Sequence, residues 1–427
     1  MDPVVFKIAT LVIFIACYVL VISRKIKIAY VALVSAILLL VLLIPSSMMS
    51  VEDASNSIRW DVLGIYWGFL MLAIVFTKSG VPAHLAKHIL HKTKNEGMAL
   101  LSLCAITALL SSFLENVGVV LIMAPIAIEA AKKTKSSLFH YLIPIAISSN
   151  IVTTVSMVAD PPALILAAGT TPPMNFMDFY WFQGRLGIGI IAIVGAVVGL
   201  AVLYFLNFRK MDKKITIEEE KIEMDYAPTA LFIGGVLALA FNSYIGVRQG
   251  LIGLAIGIIS LVLGRKILRE MITEFDWNSF AFIFGIFIII GAMQFPNGGI
   301  LQDFANVLFR IGLGNPILTL AIITWVSVAM SAFIDNVPYT VLMIPVCTSL
   351  ATSLGMNGSP FLLYGMIIGT GIGGNITPVG ATANVFACGM LEKRGHKIKL
   401  KEFMKISVPV SVISVLVAYL LVQLLWM

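Results

Sequence analysis

Charge is what this chain has least of. Asp, Glu, Lys and Arg make up 12% of its 427 residues, about half the share usual in soluble domains, whereas 59% are apolar and the mean hydropathy is +1.00. So little polar surface cannot cover a water-soluble core, which excludes soluble enzymes, nucleic-acid binders and disordered chains. Cysteine is scarce too. Cys17, Cys104, Cys347 and Cys388 lie singly in apolar stretches without CxxC or Cys/His spacing, so neither a disulfide framework nor a zinc site is expected, and each reads as a small core residue. A Walker Gly-x4-Gly-Lys-Ser/Thr stretch is missing, which argues against an intrinsic ATPase, and no cofactor is expected. No small-residue cleavage site follows the first apolar run, residues 4–22, which therefore reads as a span rather than a removed leader.

Long apolar runs are what the chain does have. Ten fall near residues 4–22, 26–45, 60–77, 138–168, 185–208, 227–243, 249–264, 277–293, 360–391 and 404–427, predicting an all-α integral membrane protein with about ten crossings. Two further stretches, 98–131 and 317–352, are too long for one span and carry a polar break in the middle. The first breaks at Ser111-Ser112-Phe113-Leu114-Glu115-Asn116. Its halves would measure roughly 24 and 22 Å as helices, short of the roughly 30 Å hydrocarbon core. Both stretches read as re-entrant helical hairpins.

Charge placement supports this reading, because a hairpin returns to the side it left. The loops 23–27, 78–97, 132–137, 209–226, 265–275 and 392–405 hold 24 of the 29 Lys and Arg residues, and all six share one side only if both hairpins re-enter. Lys7, Arg59, Arg185, Arg248 and Arg310 are then external, as are both termini, in a multi-pass plasma (cell inner) membrane protein. Residues 209–226, with Glu218, Glu219, Glu220 and Glu223 among lysines, form a cytoplasmic linker between two halves.

The halves repeat each other. Ser111, Phe113, Glu115, Asn116, Val117, Met123 and Pro125 recur, at one constant offset, as Ser331, Phe333, Asp335, Asn336, Val337, Met343 and Pro345. Upstream, Trp60 and Trp277 open corresponding spans, with Leu85 and Ile89 matching Phe304 and Leu308. The charge-derived sidedness runs the two units in opposite directions, predicting two inverted-topology repeats, 1–208 (hairpin 98–131, broken helix 138–168) and 227–427 (hairpin 317–352, broken helix 360–391). The broken helices carry Ser148-Ser149-Asn150-Ile151-Val152-Thr153-Thr154 to Asp160-Pro161-Pro162, and Gly371-Ile372-Gly373-Gly374-Asn375-Ile376-Thr377-Pro378 to Asn384. Unwound backbone of this kind is tolerated only where it lines a polar cavity inside the protein.

The stretch Ser331-Ala332-Phe333-Ile334-Asp335-Asn336-Val337-Pro338, with Gly373-Gly374-Asn375-Ile376-Thr377-Pro378-Val379-Gly380-Ala381-Thr382-Ala383-Asn384, resembles the signature of the ion transporter superfamily. That group holds arsenite permeases, the melanosomal P protein, certain Na+/H+ antiporters, citrate carriers and dicarboxylate symporters. The likeness is strongest to the arsenite-permease and P-protein branch and runs from about residue 26 to 427. It implies a secondary carrier with a scaffold and a mobile transport domain, often a homodimer. The first-half motif departs from the permease pattern Asn-Ile-Gly-Gly-x-x-Thr and Gly-Asp-Pro-Pro-Asn, reading Asn150, Ile151, Val152, Thr153, Ser156, then Ala159, Asp160, Pro161, Pro162 and Ala163. Two adjacent glycines and one asparagine are missing.

Glu115 and Asp335 are the sharpest candidates, because an ionised carboxylate within the bilayer is costly unless hydrated, paired or protonated. Each could exchange a proton during transport, or cap the second hairpin helix. Asp160, before two prolines, faces the same choice with capping favoured. Asn116, Asn150, Asn336, Asn375 and Asn384 suit a polyhydroxyl solute or a cation's oxygen shell, and Ser111, Ser112, Ser331, Thr153, Thr154, Thr377 and Thr382 add hydroxyls. His84, His88 and His91, interleaved with Lys87 and Lys92, read as a solvated helix face rather than a metal site.

The reading is a secondary active transporter, not an enzyme, carrying out proton-coupled efflux of a small solute such as arsenite or antimonite. A Na+/H+ antiporter is the alternative, with a citrate or dicarboxylate carrier behind it. A membrane-embedded hydrolase is disfavoured because no nucleophile or Gly-x-Gly-Asp motif accompanies the carboxyls. Expected partners are the lipid bilayer, the solute or ion with H+ or Na+ as coupling ion, and a second copy of the chain. No nucleic acid is expected, and a separate ATPase subunit is left open. The sidedness is testable: cysteines placed in 132–137 and 392–402 should label only from the cytoplasm, and those in 353–359 only from outside. Labelling of 132–137 from outside would remove the basis for the re-entrant hairpins.

Overall fold

The computed structural model describes residues 3–23, 25–46, 49–93, 95–170, 172–215, 223–294, 306–307, 309–310 and 314–427. Glu218, Glu219 and Glu220 of the linker, and the expected matches Phe304 and Leu308, lie outside the described residues. The chain is mostly helical. Among the described residues, Trp60–Lys78, Ile188–Phe208 and Leu400–Trp426 are each long and apolar enough to cross a membrane, and Gln249–Leu263 counts as a fourth only together with Arg265–Glu274, from which it is bent by 77°. Other expected spans are shorter apolar helices, such as Ile28–Leu43 with 16 residues and Ala227–Ala240 with 14, about 24 and 21 Å long.

The expected hairpins are two helices and a turn each: Glu96–Ser111 with Asn116–Thr134, and Pro316–Ser331 with Asn336–Ser353. Their caps repeat as well. Asn95 accepts from the Gly97 and Met98 amides, and Asn315, at the matching position of the second hairpin, accepts from Ile317 and Leu318. These side chains satisfy helix-start N–H groups that nothing else in the helix can reach. Each hairpin is followed by a helix in two pieces, Phe139–Asn150 with Pro161–Gly169, and Phe361–Gly373 with Thr382–Glu392.

One detail departs from the all-α expectation. Residues 185 and 186, expected to open a span, instead belong to a small antiparallel ribbon, Trp181–Phe182 paired with Arg185–Leu186, and the helix begins at Ile188. Arg185 explains the shift: its guanidinium donates to the Leu425 carbonyl at 2.7 Å and lies over the Trp426 ring, fixing the ribbon to the end of the last helix. The described linker residues also have a definite place. Lys213 Nζ donates to the Thr134 carbonyl and to Ser136 Oγ, and the Lys213 carbonyl accepts from the Glu96 amide, so this stretch lies across the open end of the first hairpin.

Packing exchanges partners between the halves. Trp60–Lys78 packs along Gln249–Leu263, and its second-half counterpart Trp277–Gln294 packs along Ile28–Leu43. The first contact is backbone on backbone: a Cβ on Gly68 would sit 1.8 Å from the Gly253 carbonyl oxygen, and one on Gly253 2.4 Å from that of Gly64. Small residues allow such approach where apolar burial gives no net drive, as in lipid. Gly68→Val should therefore force the two helices apart, at a cost of about 1–3 kcal/mol from overpacking. The check is thermal unfolding in detergent; an unchanged midpoint would show that this crossing does not hold the scaffold together.

Candidate functional site

Two unwound stretches supply the backbone of the site. After Asn150 the chain runs through turns to Asp160, and after Gly373 through turns to Ala381, before each helix resumes. Each break is tied to the turn of its own hairpin by one hydroxyl: Ser156 Oγ donates to the Ser112 carbonyl at 2.5 Å, and Thr377 Oγ1 to the Ala332 carbonyl at 2.5 Å. Ser112 and Ala332 hold corresponding places in the two hairpins, so the same stitch occurs twice.

Asparagines then join the halves. Asn150 Nδ2 donates to Asn375 Oδ1 at 2.8 Å and Asn384 Oδ1 at 3.1 Å, while Asn150 Oδ1 accepts from Asn116 Nδ2 at 3.3 Å. Asn375 Nδ2 reaches the Ile147 carbonyl, and Asn384 Nδ2 the Gly374 and Thr377 carbonyls. All four amides are buried. A buried amide left unpaired costs about 1–3 kcal/mol, so the bonded set holds the two breaks in register.

The carboxylates divide into two kinds. Glu115 Oε2 accepts from the Gly118 amide at 2.9 Å, and Asp335 Oδ1 from the Val337 amide at 3.0 Å, so both cap the second hairpin helix. Asp160 does not: although it stands at the N-cap of Pro161–Gly169, its side chain makes no capping bond. The favoured capping role for Asp160 is thereby corrected, and the reason is chemical. Pro161 and Pro162 have no N–H to donate, and the Ala163 amide is taken by the Asp160 carbonyl at 3.0 Å.

Glu115, Asn116, Asn150, Asp160, Asp335, Asn336 and Thr382 line one cavity of about 80 Å³, together with Tyr66, Asp276 and Ser279. That is room for a few waters or one small solute. Among the described residues the lining holds four carboxylates and no Lys, Arg or His. They ring the space without converging, since among the described residues no three acidic, His or Cys side chains are placed to bind one metal ion. Asn375 and Asn384 stand behind the wall through Asn150.

Several predicted hydroxyls do not reach the cavity. Ser331 Oγ donates to Asn336 Oδ1 at 2.5 Å and the Thr370 carbonyl at 2.6 Å, and Ser112 Oγ bonds back to the Ala108 carbonyl. Thr377 stitches a break, and Ser111, Thr153 and Thr154 are buried away from the lining. Short hydroxyl side chains reach nearby backbone more readily than a distant void. Tyr66, Asp276 and Ser279 were missed by sequence reasoning. Asp276 Oδ1 accepts from the Ser279 amide at 3.0 Å, and its Oδ2 accepts from the Tyr66 hydroxyl at 3.4 Å. The signal available was their place beside the repeated tryptophan.

Residues 18–363 match the family model described as Citrate transporter, CitMHS. The chain belongs to the citrate transporter family. An uncharacterised transporter of Mycobacterium tuberculosis is 26% identical over 96% of this chain and 97% of its own length. The human P protein is 25% identical over 86% of this chain and 54% of its own, which agrees with membership of the ion transporter superfamily. Two solved structures share the fold. The YdaH transporter of Alcanivorax borkumensis has a TM-score of 0.57 at 12% identity, covering 88% of this chain and 86% of that one. MtrF of Neisseria gonorrhoeae, described as illuminating a class of antimetabolite efflux pumps, has a TM-score of 0.56 at 13% identity, covering 90% and 83%. This citrate transporter family member is thus a membrane transporter and not an enzyme.

Asn150 is the junction of the site. Asn150→Ala strips partners from Asn116, Asn375 and Asn384 at once, whereas Asn336→Ala removes an amide held only within its own half. Asn150→Ala should lower the unfolding midpoint by more than Asn336→Ala, by roughly 2 kcal/mol of stability, and should abolish transport where Asn336→Ala weakens it. Equal midpoints in the two variants would show that the amide set does not couple the halves.

Proposed function

We propose that this protein is a secondary active transporter that exports a small neutral solute of the arsenite or antimonite class in exchange for protons. In this reading residues 1–208 and 227–427 are inverted-topology repeats making about ten crossings and two re-entrant hairpins. Both termini are external in a cell inner membrane, and the cavity is reached from each side in turn. The observation that carries the reading is the cavity wall, which among the described residues has four carboxylates and three amides and no cationic side chain. An anion such as citrate would there meet only like charge and gain no guanidinium or ammonium partner. A neutral polyhydroxyl solute meets amides that both donate and accept. The scattered carboxylates suit protons, which need one carboxyl, better than a multivalent metal, which needs several on one point.

Na+/H+ antiport is the second reading, favoured by the same acidic wall, because Na+ takes carbonyl, amide and carboxylate oxygens. Asp160 is the proton-exchanging group in either case. Its carboxylate is not engaged in capping, whereas Glu115 and Asp335 are.

Proteoliposomes under an imposed pH gradient, offered arsenite, antimonite, Na+ or citrate, test the cargo. Asp160→Asn should abolish uphill accumulation and leave downhill exchange, because an amide cannot alternate between neutral and charged forms. Asp335→Asn and Glu115→Gln keep an oxygen for the helix N–H groups and should lose less than about tenfold, the order of one lost cap. Full uphill accumulation by Asp160→Asn would move the proton to another group.

A further inference from the structure

Trp60 and Trp277 mark corresponding positions in the two halves, and the residue before each is charged: Arg59 in the first, Asp276 in the second. Both stand at the start of a scaffold helix, Trp60–Lys78 and Trp277–Gln294. The two helices run past each other, with the Trp60 ring against Phe284 and the Tyr66 ring stacked on Phe280. Because the Tyr66 hydroxyl reaches Asp276, Asp276 lies about two turns, roughly 10 Å, from Arg59 along Trp60–Lys78.

Their surroundings differ in a telling way. Asp276 faces the central cavity, where Tyr66, Glu115, Asp160 and Asp335 surround it from the neighbouring elements. Arg59 instead faces a crevice of about 680 Å³ whose opposite wall is formed by Leu164, Ala167 and Ala168. Arg59 and Ala168 also share a second crevice of about 350 Å³. These residues lie on the helix that Asp160 begins, one to two turns further along. The path from Asp160 to Ala168 along that helix is about 12 Å at 1.5 Å per residue. A third, narrow space shares Tyr66, Glu115 and Asp160 with the cavity and Leu164 with the crevice.

The other charges near Arg59 are already committed. Asp61 Oδ2 pairs with Arg248 at 2.9 Å, and Asp53 closes the capping box at Ser50. Among the described residues Arg59 has no ion pair.

We propose that Asp276 and Arg59 are opposed scaffold charges that the carboxylate of Asp160 meets in turn, each setting the pH at which one face exchanges protons. The inference rests on the proton-coupled, alternating-access reading above. A slide of about 12 Å along the helix carrying Asp160 brings its carboxylate from the Asp276 end to the Arg59 end. A displacement of that size weakens the interaction with the charge left behind, because Coulomb energy falls with distance. Beside Asp276, like-charge repulsion favours the protonated carboxyl, and beside Arg59, attraction favours the carboxylate. At either face the exchange is the same balanced step: the Asp160 carboxylate takes one proton from water, or the carboxyl returns it. With Asp276 toward the cytoplasm and Arg59 toward the exterior, each face titrates near its own side's pH, since the exterior is the more acidic whenever protons drive export. Net direction stays with the gradients.

The full-length protein in oriented proteoliposomes, with arsenite and Na+ as probes, tests this by varying pH on one side at a time. Arg59→Gln should move the half-maximal pH on the external face upward by about one unit, and Asp276→Asn should move that on the cytoplasmic face downward by about one unit, each leaving the other face unchanged. Asp276→Asn keeps an oxygen for the Ser279 amide, and Arg59→Lys and Asp276→Glu, which keep the charges, should keep both profiles. Unmoved profiles in both neutral variants, with pH-driven flux intact, overturn this inference alone. Absence of pH-driven flux in the unsubstituted protein overturns the transport reading and this inference with it.

Discussion

Backbone that leaves the helix inside a bilayer must find its hydrogen bonds within the protein, and the rest of this structure is arranged around that requirement. Two stretches leave the helix, 151–160 and 374–381. Each is tied by one hydroxyl to its own hairpin, and the two are joined by Asn116, Asn150, Asn375 and Asn384. These amides hold the breaks face to face, and the cavity is the space that remains between them. The polar wall is therefore a consequence of satisfying the backbone, and the proposed transport site is what that solution leaves.

Much of this was legible in the sequence because the constraint is expensive to meet. A carboxylate, an amide and a proline inside an apolar run are conspicuous, and their recurrence at a constant offset located both hairpins and the turn within each. The same recurrence extends to the Asn95 and Asn315 caps, which hydropathy alone does not single out. What could not be read was orientation. Whether Ser331 points at the cavity or at the Thr370 carbonyl is decided by packing of elements far apart in the chain. Asp160 shows the opposite error: Asp before Pro suggested a cap, although two prolines remove the N–H groups that a cap needs. Tyr66 and Ser279 lie on helices dominated by apolar residues and Asp276 immediately before one, so the repeated tryptophan marked the neighbourhood while proximity to the tips was visible only in three dimensions.

The two hydroxyl stitches also set the register between the halves at the breaks, with Ser156 corresponding to Thr377. Asn150 then takes the place of Gly371, Thr154 that of Asn375, Ala163 that of Asn384 and Asp160 that of Ala381. The backbones follow a common plan while the side chains divide the chemistry. The first half contributes a carboxylate that caps no helix, and the second contributes Asn375 and Asn384, which hold Asn150 from behind the wall. Glycine at 371 is required on packing grounds as well, since a Cβ there would lie 2.3 Å from Thr153 Oγ1. The asparagine missing from the first-half motif is thus matched by Asn384 from the other half.

That division bears on the alternating access proposed above, in which one chain would combine two-sided access with directional chemistry. In that reading, a scaffold of crosswise-packed helices would give the moving elements similar surfaces at both ends, so neither end would be strongly preferred on packing alone. Identical side chains in both halves would make the two ends chemically equivalent as well, and the proton would then bind alike on each side. Placing a carboxylate in one break and amides in the other, and Arg59 against Asp276 before the two tryptophans, would remove that equivalence without disturbing the packing. Shape can stay symmetric while charge does not, because charge acts over several ångströms through a few side chains whereas shape is fixed by whole helices.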